Sequence, residues 1–261
     1  MKCFANEDLE FGRNQDEWQI LKPKPLRADS FTVSELVRKL ADARMDLTAS
    51  DNDNKLAAQA FAHATPVATA RLTDESGTQE LQIRKNTDHQ NNDRQKTDTY
   101  YAKSSVVDGV YKVGSDFGQA LDKGLDDFRN KKLFDFGYDD PNKIELHAGS
   151  KAYFLTRGAK SEDWRSNGKK MDADAVQAFI AKLRDLSADK FLDSGFTSPA
   201  VEISVLSNAG KRIEHVSFAK VGDGYIGKRD NDSTLYQISA GSIDDLQKAA
   251  DAIKPAAPPA K

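Results

Sequence analysis

The chain has 261 residues, 38% of them hydrophobic and 30% charged, with a net charge of −3. This is the composition of a globular, well-charged protein rather than a fibrous or disordered one, and the length suits two domains of ordinary size. No basic face recurs along it, so nucleic acid and anionic membrane surfaces lack an electrostatic footprint. No stretch approaches the roughly 18 apolar residues of a membrane span, and the single cysteine, Cys3, excludes an internal disulfide or a cysteine-based zinc site.

Taken in chain order, Met1 to Glu17 offers room for one strand and part of another before Trp18. This spacing reads as a start inside a repeat, and the natural protein is expected to carry more sequence upstream. Val33, Leu36, Val37, Leu40 and Ala43 then follow helical spacing, behind a capping box at Thr32 to Glu35. Residues 48–64 are extra polar sequence, read as a surface-loop insertion. Asp51-Asn52-Asp53-Asn54 starts like a calcium loop, but Lys55 and Leu56 stand where a glycine and further oxygens belong, so a polar loop is expected. Alternation from Val67 to Leu72, a Gly77 turn, then Leu81 and Ile83 predict a β-hairpin. Residues 86–99 have no apolar member and are expected to be a disordered excursion between strands. Two short strands follow at Tyr100 to Lys103 and Val110 to Val113. A closing helix carries Leu121, Gly124, Leu125 and Phe128.

The second half repeats this order. A hairpin at Lys143 to His147 and Ala152 to Leu155 leads to Trp164, preceded, like Trp18, by acidic residues. Val176, Phe179, Ile180, Leu183 and Leu186 step as the first helix does, with Asp172 as the cap. Ser198-Pro199 answers Thr65-Pro66, and the alternating stretch from Val201 to Leu206 turns at Gly210 and returns through Ile213, Val216 and Phe218. Tyr225 to Lys228, Leu235 to Ile238 and a last helix with Leu246, Ala249, Ala250 and Ile253 complete the parallel. Such self-similarity predicts two tandem related α+β units, each an antiparallel sheet with two helices. The expected boundaries are 1–130, with the first unit incomplete at its N-terminus, 131–254 for the second, and a disordered Pro/Ala tail at 255–261.

Candidate chemistry is sparse. His63, His89, His147 and His215 form no metal-binding pair at helical spacing. Asp135, Asp139 and Asp140 could gather a cation, but Pro141 and Asn142 make them an ordinary turn. No Gly-x-Ser-x-Gly and no Gly-rich phosphate cradle occurs. Neither catalytic residues nor a metal nor a cofactor is expected. Trp18 and Trp164 are the candidate ligand or partner contacts, and their matched placement also suits a packing role beneath each first helix.

The segment Leu125 to Phe136, the strand Ile144-Glu145-Leu146, Trp164, and Asp172 to Val176 together resemble a bacterial family catalogued as a domain of unknown function. Phe128 and Asn130 depart from its usual leucine and acidic residue. The resemblance implies membrane-anchored, extracytoplasmic tandem-repeat proteins, some encoded beside gliding-motility-type ABC transporters. It implies no catalytic residue. The expected function is therefore a non-catalytic interaction module of the bacterial cell envelope, with a protein partner there, accessory to a transport or motility complex. The alternative is a small-ligand or glycan-binding protein using a cleft between units, and a hydrolase ranks third.

Overall fold

Asp29 sets the start of the first long helix: its carboxylate accepts a hydrogen bond from the Thr32 backbone N–H at 2.7 Å. Asp172 does the same for Ala175 at 2.8 Å in the second half. The second cap was expected; the first lies upstream of the predicted Thr32 box, because Asp29 takes the Thr32 amide that Glu35 would have taken in that box. The structure, a computed structural model, describes residues 2–4, 8–14, 17–44, 49–75, 77–89, 96–138, 141–159, 162–207, 210–230 and 232–257. The chain divides into two compact units, Met1–Asn130 and Lys131–Lys261.

The first unit contains β1 (Lys2–Phe4), β2 (Asp8–Asn14), β3 (Glu17–Lys22), β4 (Leu26–Arg27), α1 (Ser30–Asp42), α2 (Asp51–His63), β5 (Thr65–Asp74), β6 (Gly77–His89), β7 (Lys96–Ser104), β8 (Tyr111–Val113), α3 (Ser115–Leu121) and α4 (Leu125–Phe128). Its strands form one antiparallel sheet in the order β4-β3-β2-β1-β5-β6-β7-β8. Alternation along the strands sends Leu9, Phe11, Ile20, Ala70, Ile83 and Tyr100 into one core, closed by Val33 and Leu36 of α1 and by Leu121 of α3. Gly118 of α3 lies directly on the Tyr100 ring, where a Cβ would overlap it.

The second unit contains β9 (Lys143–Ala148), β10 (Lys151–Thr156), β11 (Arg165–Ser166), β12 (Lys169–Lys170), α5 (Ala173–Asp185), β13 (Lys190–Leu192), β14 (Val201–Ser207), β15 (Arg212–Val221), β16 (Gly224–Arg229), β17 (Leu235–Ser239) and α6 (Ala240–Asp251). Its antiparallel sheet runs β12-β11-β10-β9-β14-β15-β16-β17-β13. Strand for strand this is the order of the first sheet, with β13 added at one edge. Val176, Phe179, Ile180 and Leu183 of α5 are fully buried against it, as their helical spacing requires. The fold is α+β with antiparallel sheets.

Further expectations are corrected, and the single closing helix expected in the first unit is split into α3 and α4, with Gly124 as the N-cap of the second. Residues 51–63 of the supposed loop form α2, because Ser50 and Asp53 make a reciprocal capping box and Ala57 and Phe61 bury against Val110. Its apolar face was too narrow to register as periodic. Residues 86–89 and 96–99 of the supposed excursion are arms of the β6–β7 hairpin, paired from Asn86–Thr99 to His89–Lys96. Backbone pairing, not apolar content, extends them, and residues 90–95 lie outside the described residues. The first part of the Pro/Ala tail is held in place: Pro255 bridges to Met171, and the Ala256 N–H donates to the Lys170 carbonyl at 3.0 Å. The bridge's hydrogen bonds come from the flanking Lys254 carbonyl and Ala256 N–H, so the N–H that proline lacks is not needed there. Residues 258–261 lie outside the described residues.

A closing contact recurs in both units. The Asp29 N–H donates to the Phe128 carbonyl at 2.8 Å, and the Asp172 N–H donates to the Lys254 carbonyl at 2.9 Å. In each unit the chain leaving the last helix returns beside the cap of the first.

Candidate interaction surface

The first unit holds an open pocket of about 250 Å³ between the end of α1 and the sheet face. Its floor is Ala70, Leu72, Leu81 and Ala102, and its walls include Leu40, Val106, Tyr111 and Phe117. Small residues create the space: Ala70 and Ala102 sit side by side with larger neighbours on β5 to β7 and leave the sheet face shallow there. Val106 on the rim is 62% exposed. Gln79, Glu80, Ser104 and Arg44 add polar atoms around the opening. An apolar hollow with a few polar groups at its edge is a common form of binding site.

Trp18 and Trp164, the residues offered as contacts, lie elsewhere. Trp164 is 4% exposed and belongs to the second core, so it cannot present its ring to a partner. The Arg157 guanidinium covers it at 4.8 Å from the ring centre. Trp18 is half-buried beneath α1, where its indole N–H donates to Ser34 Oγ at 3.0 Å. Trp164 thus packs within the core, Trp18 packs partly beneath α1, and neither lines the pocket. The residues that do line it were visible in the sequence only as core positions. The missed signal was size, since alanines at 43 and 70 face a leucine and an isoleucine at the matched positions 186 and 203.

The polar clusters serve the fold. In the second unit Glu214, 5% exposed, accepts from the Asp135 N–H at 2.7 Å and from Arg229 at 3.2 Å. Arg229 also donates to the Leu133 carbonyl, and both Arg229 and Arg212 face Asp135, at 3.3 and 3.6 Å. Asp135 is thus an anchor for the entering chain, while Asp139 and Asp140 lie outside the described residues. Among the described residues, no group of three or more His, Cys, Asp or Glu is placed to hold a metal. None of the helices described is long and apolar enough to cross a membrane.

Two Lys-Tyr-Asp clusters tie helix ends to the sheets. Lys85 lies 2.5 Å from Asp122, which also accepts from the Tyr100 hydroxyl at 3.2 Å. The Asp122 carboxylate raises the Lys85 pKa, and burial raises that of Tyr100. In the second unit Asp251 accepts from Lys151 at 2.8 Å and from the Tyr153 hydroxyl. The Lys151 hydrogen bond holds Asp251 below the ordinary carboxylate range. His215 has Glu202 and Asp230 each at 3.8 Å, beyond the roughly 2.6–3.2 Å of a catalytic hydrogen bond. His147 packs edge-on against Phe154.

No curated protein and no solved structure matches the chain. A family model does match it, over residues 18–203, from the first tryptophan through α1, the first sheet's meander and into β14. On that match the chain belongs to the family described as Domain of unknown function (DUF4340).

Proposed function

We propose that the chain is a tandem duplication acting as a non-catalytic protein-interaction module of the bacterial cell envelope, with the open pocket of the first unit as its contact surface. The pocket carries the proposal, because it is an open apolar hollow with polar groups at its edge. The duplication is supported by the shared strand order, the matched aspartate caps and the matched closing contacts. The envelope location, an upstream membrane anchor and a role beside a transport or motility complex rest on the family resemblance alone.

Site-directed photocrosslinking tests this function. A photoreactive residue at Val106, on the pocket rim, should give one discrete protein adduct in cell-envelope preparations, and the same residue at Ile213, which is more exposed still, should not. No adduct at Val106, or turnover in a hydrolase screen that disappears in His215→Ala, would contradict it.

A further inference from the structure

The two sheets differ at one edge, and the difference arises inside the chain, between the first helix and the hairpin of each unit. In the second unit that stretch supplies β13, which lies outside β17 with Lys190, Phe191 and Leu192 opposite Gln237, Tyr236 and Leu235. In the first unit it forms α2, and among the described residues no strand pairs with the outer edge of β8. α2 lies on the face turned away from α1. Phe61 packs with Tyr101 and Val110, and its carbonyl accepts from Arg84, whereas Tyr100 and Ile83 beside them point into the main core. The helix therefore covers a face of the sheet and adds no strand to its edge.

Register matches the two edges residue by residue. Lys112 pairs with Tyr101 as Gln237 pairs with Ile226, and Tyr111 with Ala102 as Tyr236 with Gly227. The two tyrosines share a tether: the Tyr111 hydroxyl donates to the Asp108 carbonyl at 2.9 Å, and that of Tyr236 to the Asp232 carboxylate at 2.7 Å. Their surroundings differ. Phe191 stands edge-on to Tyr236 with 5.6 Å between ring centres, and Tyr236 is buried. Tyr111 has no ring against it among the described residues and is half-buried in the pocket wall. The Gln237 carbonyl accepts from the Asp189 N–H at 2.8 Å, and the shared register turns the Lys112 carbonyl outward in the same way. Charge differs as well. The neutral Gln237 faces Lys190, whereas Lys112 is exposed with no carboxylate beside it among the described residues.

We infer that the outer edge of β8 is a docking site for an antiparallel strand of a partner protein that carries an acidic, an aromatic and a small residue in succession. This rests on the interaction function proposed above and names the segment that the partner presents beside the pocket. The acidic residue stands opposite Lys112, where a carboxylate is attracted and a lysine like Lys190 is repelled. The aromatic residue stands opposite Tyr111, in the seat that Phe191 takes on Tyr236. The small residue stands opposite Val110, which Ala57 and Phe61 of α2 already cover. A second copy of the chain is a poor occupant. Two such edges paired about Lys112 would set lysine against lysine, the device by which short charged edges avoid pairing with themselves. A strand carrying a carboxylate turns that barrier into attraction, while main-chain pairing supplies affinity.

The test is fluorescence anisotropy with the full chain and a labelled octapeptide, Ser-Ala-Asp-Glu-Phe-Ala-Asp-Ser, which is residues 187–194 with Lys190→Glu and Leu192→Ala. Saturable binding is expected, about tenfold weaker when the phenylalanine becomes serine, and severalfold weaker when the glutamate returns to lysine. Lys112→Glu, at an exposed position, should reverse that order and bind the lysine peptide better than the glutamate peptide, with an unchanged unfolding midpoint. No binding, or an order of preference that Lys112→Glu leaves as it was, would overturn the inference. So would self-association in sedimentation that the glutamate peptide disperses, because the edge would then seat a second copy. If the peptide fails while the Val106 crosslink survives, this inference falls and the interaction function stands; if both fail, both fall.

Discussion

Leu183 and Leu40 occupy matched places on α5 and α1, yet one is sealed and the other borders open space. Leu183→Ala should therefore cost about 2–5 kcal/mol, the usual range for a cavity left in a closed core. Leu40→Ala should cost less than half as much, because water already reaches its surroundings. Equal losses in unfolding midpoint would mean that the two pockets are equally closed. Glu214 is the other residue on which the second unit depends. Removing it leaves Arg229 nearly buried without that partner, and Glu214→Ala should destabilise by about 3–5 kcal/mol. Gly118 has no room for a side chain beside Tyr100, so Gly118→Ala should cost about 1–3 kcal/mol through overpacking. Denaturant unfolding of each variant checks these values.

At the scale of elements, the helix ends are held to the sheets by ionised groups, and this makes stability depend on pH. Asp251 has a depressed pKa in the folded protein. Its contribution is fully present above the ordinary aspartate range and is lost as pH falls through the depressed value. Lys85 has a raised pKa. Its contribution is present below the ordinary lysine value and is lost as pH rises through the raised one. Asp251→Asn should thus lower the unfolding midpoint at neutral pH and match the parent in strong acid. Lys85→Met should do so at neutral pH and converge in strong alkali. A constant difference across pH would show that neither group's ionisation matters.

The elements also show how much the sequence could tell. Where apolar spacing was long and regular, as in α5 and in β14 to β17, both type and position were legible, because burial of one face dictates the pattern. α2 was not, since only Ala57 and Phe61 of its thirteen residues are buried and the rest of its surface is polar. The long β6–β7 arms escaped for the opposite reason: their tips are held by backbone pairing that needs no apolar side chain. The candidate site was the least legible. Trp18 and Trp164 drew attention by size, whereas the pocket is made by alanines, and a missing side chain leaves no mark in a sequence unless its matched position is compared.

For the whole molecule, two units share one strand order but differ in how far the face beside the first helix is covered. In the second unit Leu133, Phe134 and Phe136 are buried in the core, and among the described residues of the first an open pocket lies beside α1. Sequence divergence fits this difference, with alanine at 43 and 70 where the filled pocket has Leu186 and Ile203. The most direct measurement is methyl NMR of the full chain with a soluble paramagnetic agent, which relaxes the methyls that solvent can reach. Leu40, Leu72, Leu81 and Val113 line the open pocket, and Leu183, Val205 and Val216 are built-in controls at matched positions in the filled one. The account predicts strong relaxation at the first set and little at the second. Relaxation at neither set, or equally at both, would contradict it.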